Sequence, residues 1–103
     1  MKVMIFILFA LLQNNSDQRV LDVYAINKSD KLFQEQLKVL ASDPKGIKVR
    51  DISIKEHFGS TAFKITLTGK DGTKKLSSKS VLTLKKLYDT IDAMPMRKAE
   101  MKH

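Results

Sequence analysis

The chain of 103 residues has no cysteine, only two prolines and four glycines, and just three arginines among its 19 basic residues. Each scarcity excludes something. Without cysteine there is no disulfide staple, no thiol redox chemistry and no thiolate metal site. Stability must come from ordinary packing of a small core. Without a glycine-rich loop, a nucleotide phosphate lacks a close backbone cradle. With so few arginines, bidentate phosphate recognition has little to work with, and the net charge of +8 rests on lysine. Specific nucleic-acid recognition is therefore not expected. A lysine surface attracts polyanions and anionic surfaces through screened, unspecific electrostatics, and it also keeps a small protein soluble. The excess is uneven, because from Lys64 to Lys102 ten basic residues stand against four acidic ones.

What is present begins with "MKVMIFILFALLQNNSDQ", in which Lys2 precedes ten apolar residues and then a polar segment. This is the layout of a secretory signal peptide, and the run is too short to span a bilayer comfortably. Ala10 and Ser16 are the small residues nearby, so no cleavage site is marked clearly. The plain alternative is a first core strand or helix. The expectation is a signal peptide over residues 1–18 and one domain over residues 19–103. It places the protein outside the cell or in the periplasm or cell envelope, with no transmembrane span once the signal is removed. A domain of about 85 residues buries roughly 60–65% of its unfolded surface, near the lower limit for a working core.

The segment "RVLDVYAI" (19–26) reads as a strand whose near-continuous apolar run suits a central position covered on both faces. Asp22 is its anomaly, since a carboxylate inside a central strand is costly unless it is exposed or paired. Ser29 or Asp30 can cap a following helix with Leu32, Phe33, Leu37 and Leu40 on one face and Gln36 at its edge. Asp43-Pro44 stops it. "IKVRDISIKE" (47–56) alternates like a strand, with a phase slip at Arg50-Asp51 that indicates a bulge or a turn before Ile52. "FKITLTG" (63–69) alternates Phe63, Ile65 and Leu67 inward against Lys64, Thr66 and Thr68 outward. Asp71-Gly72 signals a hairpin into a short edge strand, "KKLSS" (74–78), guarded by its lysines. "TLKKLYDTIDAM" (83–94) is the clearest helix, capped by Thr83 and ended by Pro95.

The order β-α-β-β-β-α, with two main helices on a mixed sheet, fits a small thioredoxin-like α/β domain best. Two stretches resemble a family called P-DUDES. One is "TGKDGTKK", similar to that family's GKDG hairpin, and the other is "LYDTIDAMPMRKAEM", whose IDxMxxRxxEM ending is the more specific signal. The resemblance covers roughly residues 19–101. It implies exported bacterial proteins related to domains of vertebrate extracellular sushi-repeat and matrix proteins. It also implies a thioredoxin- or peroxiredoxin-like fold without an established catalytic activity. The chain departs from the pattern in the loop after the first strand, Asn27-Lys28-Ser29-Asp30, which lacks the family's proline. It is also shorter between the second and third strands than the vertebrate relatives.

In thioredoxin-like domains the loop after the first strand carries the reactive cysteine; here it offers Ser29 and the flanking Lys28 and Lys31. A helix N-terminus between two lysines can hold an anion, although Asp30 can fill that position itself. The basic hairpin (Lys70, Lys74, Lys75, Lys79) extends the candidate polyanion surface, for an acidic protein or polysaccharide. An alternative enzyme would use Ser29 with His57 as base, oriented by Asp51 or Glu56. Met94, Met96, Met101 and His103 would form a soft copper(I) set. Met94 reads better as a core residue, so no metal and no cofactor is expected. Arg97 and Glu100, spaced i, i+3, read as a structural pair. Asn14-Asn15-Ser16 and Asn27-Lys28-Ser29 match the glycosylation sequon.

Overall fold

A computed structural model describes residues 17–59 and 61–102, so the expected signal peptide lies outside the described residues except for its last two positions. The elements are β1 (Arg19–Ala25), α1 (Lys31–Ala41), α2 (Pro44–Val49), β2 (Ile52–Phe58), β3 (Lys64–Thr68), β4 (Lys74–Ser78), α3 (Leu84–Asp92) and α4 (Pro95–Met101). The sheet order is β2-β1-β3-β4, with β1 parallel to β2 and the other neighbours antiparallel. This is a small α/β fold with a four-stranded mixed sheet, and its order of strands and helices broadly matches a thioredoxin-like fold. Two short helices join the two expected main ones.

The local rules explain most of the boundaries. Asp30 caps α1 by accepting from the Phe33 N–H at 2.9 Å, and Thr83 caps α3 by accepting from the Lys86 N–H at 3.1 Å. The β3–β4 hairpin closes with Gly72 at φ 82°, a left-handed position that glycine reaches without a Cβ clash.

Three expectations change. The segment 44–49 is a helix, not the first half of a strand. Pro44 sits at its first turn, and Asp43 caps it by accepting from the Gly46 N–H at 3.1 Å. The apparent alternation misled because Val49 is exposed while Ile47 packs partly on the core. The chain then turns at Asp51, φ 52°, which is the phase slip before β2. Along α1 the buried residues are Phe33, Gln36 and Leu40, and Leu32 points to solvent. Gln36 is fully buried and spans 46 positions to Leu82, donating to its carbonyl at 2.9 Å and accepting from its N–H at 2.7 Å.

The third change concerns coverage of the sheet. β1 is central, but among the described residues helices cover only one of its faces. Leu21, Val23 and Ala25 form one core cluster with Ile65 and Leu67 of β3, Phe33 and Leu40 of α1, and Leu87 and Ile91 of α3. The alternate residues Val20, Asp22 and Tyr24 are only half-buried. Just five residues, 59–63, connect β2 to β3. No helix among the described residues lies between those strands to cover that second face.

Candidate functional site

The C-terminal ends of the parallel strands β1 and β2 meet the loop that precedes α1, where α/β folds commonly place their ligands. In this loop the polar groups satisfy one another. The Ser29 N–H donates to Asn27 Oδ1 at 2.9 Å, and Gln34 Nε2 donates to the Lys28 carbonyl at 3.1 Å. Asp30 already places a carboxylate at the helix N-terminus. Lys28, Ser29 and Lys31 are all exposed.

His57 lies near the same end of the sheet, in register with Tyr24, but its ring stands on the half-open outer face. Its Nε2 is 2.7 Å from Asp22 Oδ1, and the ring stacks on Tyr24 with centroids 4.6 Å apart. Neither Ser29 nor the expected orienting carboxylates, Asp51 and Glu56, is its partner among the described residues. Asp51 lies at the opposite end of β2, held by Lys70 at 2.8 Å. Asp22 is the residue that sequence reasoning missed as a partner of His57, although its position inside a strand was the signal. The Lys64 Nζ stands 4.8 Å from the centroid of the Tyr24 ring, and Lys55 lies beside Asp22 in register. Thus Asp22, Tyr24, Lys55, His57 and Lys64 share one face of three adjacent strands.

The basic residues divide into two groups. Arg19 is fully buried and joins Glu100 through both terminal nitrogens, at 3.4 and 3.1 Å, while also donating to the Arg50 carbonyl at 2.7 Å. Lys70 bridges Glu100 and Asp51, each at 2.8 Å. Arg97 reaches Asp92 at 3.2 Å and Glu100 at 3.4 Å, and Arg50 reaches Asp92 at 3.0 Å. Burial by itself would raise the Glu100 carboxyl, but hydrogen bonds and charge from Lys70 and Arg19 hold it at about 2. Burial opposes the charge of Lys70 too, yet the hydrogen bonds to Asp51 and Glu100 raise its pKa. Hydrogen bonding to Arg50 lowers Asp92 against its partial burial. Lys70 therefore belongs to a clamp fastening α4 to β1 and the hairpin, not to an open cationic surface. Lys75 is held by Asp71 at 2.9 Å. In contrast, Lys74 and Lys79 are exposed without an acidic partner among the described residues.

Of the methionines considered for copper, Met94 is buried in the core while Met96 and Met101 are exposed; His103 lies outside the described residues, as does Asn14. Asn27 is exposed. An open apolar groove of about 710 Å³ runs between α1, α2 and the edge strand β2, lined by Leu37, Leu40, Pro44, Ile47, Ile52 and Ile54 among others. No described helix is long and apolar enough to cross a membrane.

Residues 55–100 match the model of a protein family described as a domain of unknown function, DUF4174. The match runs from the middle of β2 into α4, so it includes His57, the hairpin, Asp92, Arg97 and Glu100. No curated protein matches the chain.

Proposed function

We propose that this protein is an exported, non-catalytic, thioredoxin-like domain of the P-DUDES type that binds an acidic partner through lysines. The observation that carries this reading is the division of its cations. All three arginines, with Lys70, are engaged in internal ion pairs. Lys28, Lys31, Lys74 and Lys79 remain at the surface without a counter-charge among the described residues. Positive charge left uncompensated after folding is the part available to a polyanion. The apolar run from Val3 to Leu12 supports export, and the match to a family of unknown function is compatible with the P-DUDES resemblance.

The non-catalytic part is supported by the partners of Ser29 and His57, which are not each other. Ser29 forms a turn within its loop, and His57 bonds through Nε2 to Asp22, not to Ser29. A thiol-independent enzyme would require the Asp22–His57 pair to act on another nucleophile. His57→Ala would then abolish a turnover while leaving the fold intact.

Retention on immobilised heparin is expected to be salt-sensitive and stronger than that of an unrelated domain of equal size and charge. Retention equal to that control would overturn the binding proposal. N-terminal sequencing of the chain recovered from outside the cytoplasm tests export, and a chain found only in the cytoplasm would reject it.

A further inference from the structure

The outer face of the sheet is half-open and mixed in chemistry. Side chains on one face of paired strands lie side by side, so the register assembles that face directly. One row across it is Lys55, Asp22, Thr66 and Ser77, and the next is His57, Tyr24 and Lys64. Thr66 is the buried member. Lys55 is exposed, and Tyr24, His57 and Lys64 are half-exposed.

We propose that this outer face, centred on Asp22, Tyr24, Lys55, His57 and Lys64, binds an acidic polysaccharide of the uronic-acid class. The inference rests on the acidic-partner reading above and names both its seat and its ligand. Three features select this chemistry over a polyphosphate. First, no arginine is present in either row, so bidentate phosphate recognition is missing from the face. Second, Asp22 sits in the middle of it as an acceptor, suited to sugar hydroxyl groups that donate hydrogen bonds and repulsive to closely spaced phosphates. Third, the half-exposed Tyr24–His57 stack gives the face an aromatic surface beside its charges, and the Tyr24 hydroxyl adds a polar handle.

The lysines supply complementary charge. Lys55 and Lys64 lie on strands separated by β1 and are offset by two residues, which sets their backbones roughly 12 Å apart. That separation suits carboxylates on neighbouring or next-neighbouring sugars of an extended chain. Two lysines stand against the single carboxylate of Asp22, so the face keeps a cationic balance toward such a polymer.

The test is binding of the chain to oligogalacturonate, followed by amide and side-chain NMR shifts and by affinity. Shifts are expected at Asp22, Tyr24, Lys55, His57 and Lys64. Lys55→Glu with Lys64→Glu is expected to weaken binding by about tenfold, while Lys45→Glu with Lys86→Glu, an equal charge change at exposed helix positions, weakens it less than about threefold. Shifts confined to the loop 27–31 or to the hairpin would overturn the seat, as would equal losses in the two variants. Binding to dextran sulfate, which carries no carboxylate, without binding to oligogalacturonate would overturn the ligand class while leaving the acidic-partner reading intact. Failure to bind either polymer would overturn both. The NMR shifts judge the proposal even if a variant fails to fold.

Discussion

The two ends of the sheet use charge in opposite ways. At the end where β1 and β2 begin, Arg19, Arg50, Lys70 and Arg97 meet Asp51, Asp92 and Glu100 in one connected set of ion pairs. At the end where those strands finish, Lys28 and Lys31 stand exposed beside a loop whose hydrogen bonds stay within itself and the first turns of α1. The first end is built of charges whose partners come from distant segments, so it holds the tertiary structure together. The second end is locally complete and contributes little beyond its helix cap. The IDxMxxRxxEM ending belongs to the first end, because its aspartate, arginine and glutamate are Asp92, Arg97 and Glu100. That ending is therefore explained by assembly of the fold.

The contrast can be broken most forcefully at Glu100. Glu100→Ala leaves the fully buried Arg19 without its carboxylate, and removal of one member of a buried pair costs about 3 kcal/mol, or roughly 12–24 °C in melting temperature for a domain this small. Truncation after Met94, which removes Arg97 and Glu100 together, is expected to be at least as damaging. An unchanged melting temperature in either protein would reject the clamp.

Acid should dismantle the same end. The Glu100 carboxyl titrates at about 2 in the fold against an ordinary 4.5. A lowered carboxylate stabilises above its unfolded value, so this contribution is present above pH 4.5 and is lost as pH falls toward 2. The loss is on the order of 2–3 kcal/mol, read by urea denaturation at stepped pH. Glu100→Gln should flatten most of that acid limb.

Between the ends, Gln36→Leu strands the N–H and carbonyl of Leu82 inside the core, with an expected cost of about 2 kcal/mol. The loop end should respond least. Asp30→Ala removes the α1 cap for about 1 kcal/mol, and Ser29→Ala should stay within about 0.5 kcal/mol. A larger loss for Ser29→Ala than for Asp30→Ala would mean that the loop has a structural duty beyond capping.

The sequence by itself determined whatever is settled within a few positions. Asp30 and Thr83 cap helices through bonds spanning three residues, the Asp71-Gly72 turn closes its own hairpin, and Ile65 and Leu67 of β3 enter the core as their alternation indicates, although Thr66 between them is buried too. The same local logic failed at 44–49, where Ile47 and Val49 imitate a strand but the Asp43 cap and Pro44 start a helix. Tertiary structure alone decided which polar groups meet across long separations. Glu100 finds Arg19 across 81 positions, Gln36 finds Leu82 across 46, and Asp22 finds His57 across 35. A helix period or a strand alternation fixes which way a side chain points, whereas its partner is chosen only when packing brings another segment beside it. For that reason the missing cysteine was plain from the first reading, while the clamp and the open face with Asp22, His57 and Tyr24 emerged only with the folded chain.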